Sequence, residues 1–146
     1  MGKKLEELHP VAMVAAVSAV AALKDAGILF AITSTRRTWE EQFALYAQGR
    51  KSLDEVNVLR DKAKMPRIKE VDNTYVVTNC DGIKIKSRHQ SGRAIDVVPA
   101  DERGNPHWPP PYDGRWGKIA WVMKRFGFSW GGDWIQFRDL PHYEIN

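Results

Sequence analysis

Two clusters in this sequence have the residue types and spacing to hold a divalent metal and to move a proton. The first is residues 87–96, Ser-Arg-His-Gln-Ser-Gly-Arg-Ala-Ile-Asp. His89 sits in a polar, glycine-containing loop, whereas residues 93–98 alternate and end in β-branched residues, the pattern of a short strand entered from a turn. Ala94, Asp96 and Val98 then share one face. A carboxylate on the same face as apolar residues points inward and needs a cation or several donors to offset its desolvation. A divalent metal meets that need: neutral imidazole and carboxylate are both zinc ligands at ~2.0 to 2.2 Å, and a catalytic zinc takes three protein ligands and one open position. The third ligand is expected in the second cluster, residues 139–145, Asp-Leu-Pro-His-Tyr-Glu-Ile. Pro141 stiffens the approach and biases Leu140 toward an extended conformation, so His142 is held in a defined direction at the start of a terminal strand, 143–145. Asp139, three residues earlier, is placed to reach a water on the metal rather than the metal itself, which is where a general base must act.

Taken together, Ser87, His89, Gly92, Ala94 and Asp96 as SxHxxGxAxD, followed by Asp139, Pro141 and His142 as DxPH, resemble the LAS zinc metallopeptidases. Within them the chain looks most like the L-alanyl-D-glutamate peptidases found as phage endolysins. A third block, residues 32–50 with Arg37, Gln42, Leu45, Tyr46, Gly49 and Arg50, is similar to the family's RxxxxQ and LYxxGR segment. The resemblance implies one zinc held by His89, Asp96 and His142, with Asp139 as general base, Arg37 holding a carboxylate or stabilising the oxyanion, and Gln42 and Ser87 contacting substrate. It also implies the peptidoglycan stem peptide as substrate and the L-Ala to D-Glu bond as the one cleaved. D-Ala-D-Ala carboxypeptidases and dipeptidases share the zinc pattern and are the nearest enzymatic alternative. Residue chemistry alone lets either Arg36 or Arg37 serve, since both offer a permanently charged fork of donors; spacing to Gln42 in the family pattern selects Arg37.

The elements that must position these groups can be read from periodicity and caps. Pro10 opens a core helix over the apolar run 11–23, which Gly27 ends. Residues 28–33 form a buried strand. Thr38 with Glu41 is a capping box, so 39–48 is a helix with Phe43, Tyr46 and Ala47 on one side and Gly49 as its stop. Residues 53–64, a short helix before a loop containing Pro66, are dense in charge and read as a solvated insertion spanning 52–75, a departure from the family pattern. A strand is expected over 74–78, a turn over 79–82, and a short return over 83–86. Residues 101–114, with four prolines, form a long stiff loop; 116–126 is a helix carrying Ile119, Val122 and Met123 and stopped by Gly127. Residues 128–134 resemble the family's WGGDW approach to the last block, with Phe128 in the core and Trp130 and Trp134 open between core and cleft wall. The expected fold is α+β: a small antiparallel sheet carrying the metal ligands, with helices mainly on one side.

Size and composition set the outer limits. A chain of 146 residues, 43% hydrophobic and 27% charged, is expected to form a single domain over 1–146 without staples. Cys80 is the one cysteine, so no intrachain disulfide forms; it lies in a turn-like stretch with no nearby histidine and reads as structural. The formal charge of +4 favours polyanionic partners, but the basic residues are scattered among acids and no nucleic-acid motif is present, so nucleic acid is not an expected partner. The apolar run near the N-terminus is interrupted upstream by Glu6, Glu7, His9 and Pro10, and is too short to span a bilayer, so neither a signal peptide nor stable membrane insertion is expected. The resemblance to phage endolysins implies synthesis in the host cytoplasm before release to the cell wall or periplasm, and a monomer is expected. His107 and His9 read as loop residues rather than ligands. The alternative from another class is a metal-containing module that binds cell wall or nucleic acid without turnover, against which Asp139 argues, since a structural site needs no base.

Overall fold

Proline at the first turn and the His9 ring accepting the Val11 N–H start the first helix, α1 (Pro10–Asp25). The helix buries Ala12, Ala16, Ala19 and Leu23, a stripe at helical spacing. It ends where Gly27 takes a positive φ of 71° and the chain closes back through Gly27 N–H to Lys24 O and Ile28 N–H to Leu23 O. That closure uses the Ile28 amide, which explains why strand β1 begins at Phe30 (Phe30–Ser34) rather than at residue 28 as expected.

The computed structural model describes residues 1–146 as an α+β protein with four α-helices and one four-stranded antiparallel sheet. The chain clusters into two compact units: residues 2–36 with 91–146, and Met1 with residues 37–90.

The first unit carries the whole sheet, in the order β1-β2-β4-β3, where β2 is Ala94–Pro99, β3 is Ser129–Trp130 and β4 is His142–Glu144. β2 is flanked on both sides, which accounts for its complete burial, while β1 is an edge strand and stays mostly half-buried, a correction to the buried strand expected there. α4 (Gly114–Arg125) follows the proline-containing loop. Asp113 caps it through the Arg115 N–H, two residues earlier than the expected start at 116. Of its buried residues, Ile119, Ala120, Val122 and Met123 meet α1 and the β2–β4 face bearing Ile95, Val97 and Tyr143, with Phe128 completing the core, while Trp116 packs on Trp108 and its indole N–H donates to Pro109 O. Burial of each large apolar side chain contributes roughly 1.5–3 kcal/mol. Because strand side chains alternate, Ala94, Asp96, Val98, His142 and Glu144 take the other face of the sheet. The terminal strand is one residue earlier than expected and includes His142 itself.

The second unit is built from α2 (Trp39–Ala47) and α3 (Leu53–Lys62), each opened by a complete capping box, Thr38 with Glu41 and Ser52 with Glu55. The face α2 buries is Glu41, Gln42, Ala44 and Ala47, not Phe43 and Tyr46, which are half-buried. α3 is not wholly solvated as its charge suggested: it packs against α2, burying Val56 and Arg60, whose guanidinium donates to Pro66 O at 2.6 Å. No strand forms over 74–78 or 83–86. A 3-10 turn over Asp72–Thr74 and an irregular path over residues 75–80 are held instead by Gln48 to Asp72 O, Gly49 N–H to Asn73 Oδ1, Arg50 to Thr78 O and Asn79 Oδ1, and Gln42 to Thr78 and Cys80. Tyr75, Val76 and Val77 are exposed; their β-propensity has no partner strand to act on. No helix of the chain is long and apolar enough to cross a membrane.

Candidate metal centre and active site

The central strand pair positions two of the expected ligands. Asp96 of β2 lies directly opposite His142 of β4, between Ile95 paired with Tyr143 and the Val97 N–H bonded to Pro141 O at 2.9 Å. Flanking backbone bonds of this kind leave the intervening pair close together with side chains on the same face. The result is Asp96 Oδ1 at 3.6 Å from His142 Nδ1, with Asp96 9% and His142 6% exposed.

Asp139 is brought to the same ring edge by a turn. The His142 N–H donates to Asp139 O at 3.2 Å, and Asp139 Oδ2 lies 4.0 Å from His142 Nδ1, while 46% of its side chain stays exposed. Two contacts hold the approach: Asp139 N–H to Gly131 O at 3.0 Å and the Trp130 indole N–H to Leu140 O at 2.7 Å. A side chain at Gly131 would collide with Asp139 O, so this backbone approach demands glycine. Trp130 is therefore a half-buried brace for the turn. Trp134 lies over His142, ring centroids 5.1 Å apart, and is 38% exposed, an apolar wall beside the imidazole.

The far edge of the His142 ring meets a group that spacing alone did not single out: Nε2 is 2.7 Å from Glu144 Oε2. Burial alone would push the His142 pKa down, but hydrogen bonds to Asp96 and Glu144, with the charges of Asp96 and Asp139, outweigh it and raise it to about 9. Three carboxylates thus favour positive charge at this ring, a demand that a divalent cation answers as a proton does. The signal for Glu144 was the i, i+2 alternation of a strand, His-Tyr-Glu, which places it on the His142 face.

The second unit carries the other named residues. His89 is 1% exposed and sits in a turn whose Ser87 Oγ accepts the His89 N–H at 3.2 Å; Gln90 closes the same turn through Ser87 N–H to its Oε1 and its Nε2 to Gly82 O. The Arg37 N–H donates to His89 O at 3.0 Å, tying the start of α2 to this turn. Arg37 is half-buried and its Nη1 donates to Gln42 Oε1 at 3.2 Å, whereas Arg36 is exposed. Gln42 is fully buried, and its Nε2 donates to Thr78 Oγ1 and Cys80 O. Gln90 and Thr78 carry no sequence signal of their own, because their roles arise from contacts made after folding. His107 is exposed in the loop before α4, and His9 caps α1.

Over 145 residues, 95% of this chain and 74% of the relative, the sequence is 32% identical to the peptidoglycan L-alanyl-D-glutamate endopeptidase CwlK of Bacillus subtilis. The chain belongs to the LAS family of zinc metallopeptidases. Another LAS relative, an L-alanyl-D-glutamate peptidase of a Listeria phage, is 36% identical over 62 residues, 42% of this chain and 22% of that protein. The family profile described as D-alanyl-D-alanine carboxypeptidase matches residues 81–145, the stretch holding Ser87, His89, Asp96, Asp139 and His142. Among solved LAS structures, the L-Ala D-Glu endopeptidase ChiX of Serratia marcescens shares the fold with a TM-score of 0.58 at 20% identity, over 97% of this chain and 83% of that one. The vancomycin-resistance D,D-pentapeptidase VanY, crystallised in complex with Zn(II), gives 0.57 at 18%, over 94% and 72%.

Proposed function

We propose that this protein is a peptidoglycan hydrolase, a zinc-dependent endopeptidase that cleaves the bond between L-Ala and D-Glu of the stem peptide and serves as a phage endolysin in host lysis. The observation that carries the reading is the 32% identity with an L-alanyl-D-glutamate endopeptidase along nearly the whole chain, supported by the shorter match to a phage peptidase of the same specificity. His89, Asp96 and His142 are the metal ligands in this reading. The donor set fits zinc: two imidazoles and one carboxylate, with His89 buried in its turn and Asp96 and His142 buried side by side on β2 and β4.

A zinc ion held by His89, Asp96 and His142 would supply Lewis acidity toward the scissile carbonyl and would lower the pKa of a bound water toward ~7. Asp139, half-exposed and beside the His142 ring, accepts the proton of the attacking water on its carboxylate. As the C–N bond breaks, Asp139 returns that proton to the leaving amine nitrogen of D-Glu. Arg37 supplies fixed positive charge to the developing oxyanion, and Gln42, expected to contact substrate but fully buried, keeps that charge aimed through its bond to the guanidinium. Ser87 contacts substrate beside the His89 turn that its hydroxyl caps. The chain acts as a monomer on the stem peptide, with no nucleic-acid partner.

A D-Ala-D-Ala carboxypeptidase is the second reading, favoured by the description of the family profile that matches residues 81–145. Digestion of purified peptidoglycan separates the two: new amino termini on D-Glu support the endopeptidase, and released D-Ala in their place would move the assignment to the carboxypeptidase. Zinc uptake without any cleavage would instead indicate a binding module.

A further inference from the structure

We propose that Glu144 is a positioning residue for the metal centre: its carboxylate accepts the Nε2–H of His142, which fixes the ring tautomer and turns the Nδ1 lone pair toward the edge shared with Asp96 and Asp139. This inference rests on the reading of His142 as a zinc ligand. The two ring nitrogens of His142 have separate surroundings. Nδ1 faces Asp96 Oδ1 at 3.6 Å and Asp139 Oδ2 at 4.0 Å, while Nε2 lies 2.7 Å from Glu144 Oε2. Neutral imidazole has one N–H and one lone pair, so a carboxylate at hydrogen-bond distance from one nitrogen assigns the proton there and leaves the other as the ligand. A carboxylate behind a metal-binding histidine also raises the basicity of the ligand nitrogen and stops the ring from turning.

The fold holds Glu144 for this task. It is two residues from His142 on β4 and therefore on the same face of the strand. Its backbone is fixed on both sides, paired with Ala94 of β2 and with Ser129 of β3, and its carbonyl accepts the Ser129 hydroxyl at 3.2 Å. Trp134 bounds the ring face, so the imidazole is located by the carboxylate at one edge and the indole at its side. Glu144 is thus placed by the sheet rather than by a mobile loop, and its distance from His142 follows from strand geometry.

The test is zinc affinity of the full chain, measured by competition with a chromogenic chelator, for the parent, Glu144→Ala and Glu144→Gln, together with the ring tautomer of His142 from nitrogen-15 NMR of the zinc-loaded parent. Glu144→Ala is expected to weaken zinc binding about 10- to 100-fold. Glu144→Gln, which keeps an acceptor oxygen at the same reach, should recover most of that loss. The parent ring should carry its proton on Nε2. Unchanged affinity in Glu144→Ala, or a proton on Nδ1 in the loaded parent, would overturn the role of Glu144; the NMR result decides even if the alanine variant does not fold. A parent chain that takes up no zinc overturns the metal reading itself, a separate and recognisable outcome.

Discussion

Asp96 and His142 are directly opposed on the central strands β2 and β4, with Oδ1 3.6 Å from Nδ1, although 45 residues lie between them in the sequence. An antiparallel register therefore makes one edge of the proposed metal centre, and a slip of one strand by one residue would send its member of the pair to the opposite face, that of Ile95 and Tyr143.

Removing the ligands should remove the metal. His142→Ala is expected to lower zinc content, read by elemental analysis, from about one per chain to near zero, and to abolish peptidoglycan cleavage. Chelator treatment of the parent should abolish cleavage and lower the thermal midpoint, and added zinc should restore both, since a ligand bound only by the folded state stabilises it. Cleavage that persists after complete metal removal would defeat the zinc mechanism.

Asp139 should separate chemistry from binding. Asp139→Ala is expected to keep zinc while kcat falls about 10²- to 10⁴-fold, the usual contribution of a positioned base. Cleavage at the parental rate would show that another group takes the proton.

Tyr143 carries a cost that can be deleted. Its ring is fully buried in the core while its hydroxyl finds no hydrogen-bond partner, and burial, with the charge of Asp133 adding to it, pushes its pKa above the ordinary phenol range. Tyr143→Phe keeps the packing and removes the buried polar atom, so denaturant unfolding should show unchanged or increased stability, by up to about 1 kcal/mol. A clear loss of stability would mean that the hydroxyl is satisfied in solution.

Asp113 gives a pH dependence of known sign. The Arg115 side chain and backbone N–H hold its carboxyl down at about 2, below the ordinary carboxylate value of 3.8. A depressed folded value means that the stabilisation is present above pH 3.8 and is lost as pH falls through about 2. Thermal midpoints of the parent should therefore drop between pH 5 and pH 2 by more than those of Asp113→Asn, which keeps a capping oxygen but does not titrate. Equal drops in both proteins would remove Asp113 from the acid response.

The sequence by itself supplied the candidate ligands and base and determined much of the local structure. The donors His89, Asp96 and His142, the acid Asp139, both α2 cap residues, and the glycine that ends α1 are all legible because residue type and short-range spacing carry them. Local pattern also misled, and for a physical reason. Residues 74–78 have strand composition, yet no neighbouring backbone pairs with them, and the side chains of Gln42 and Arg50 hold the segment in an irregular path. The charge of α3 hid the buried Val56 and Arg60, because exposure depends on which face α2 covers. Only the tertiary structure could decide which nitrogen of His142 meets which carboxylate. Alternation puts Glu144 on the same strand face as His142, but its 2.7 Å approach to Nε2, and the placing of Asp96 and Asp139 at the other edge, depend on strand pairing and a glycine-dependent turn, which are contacts between residues distant in the chain.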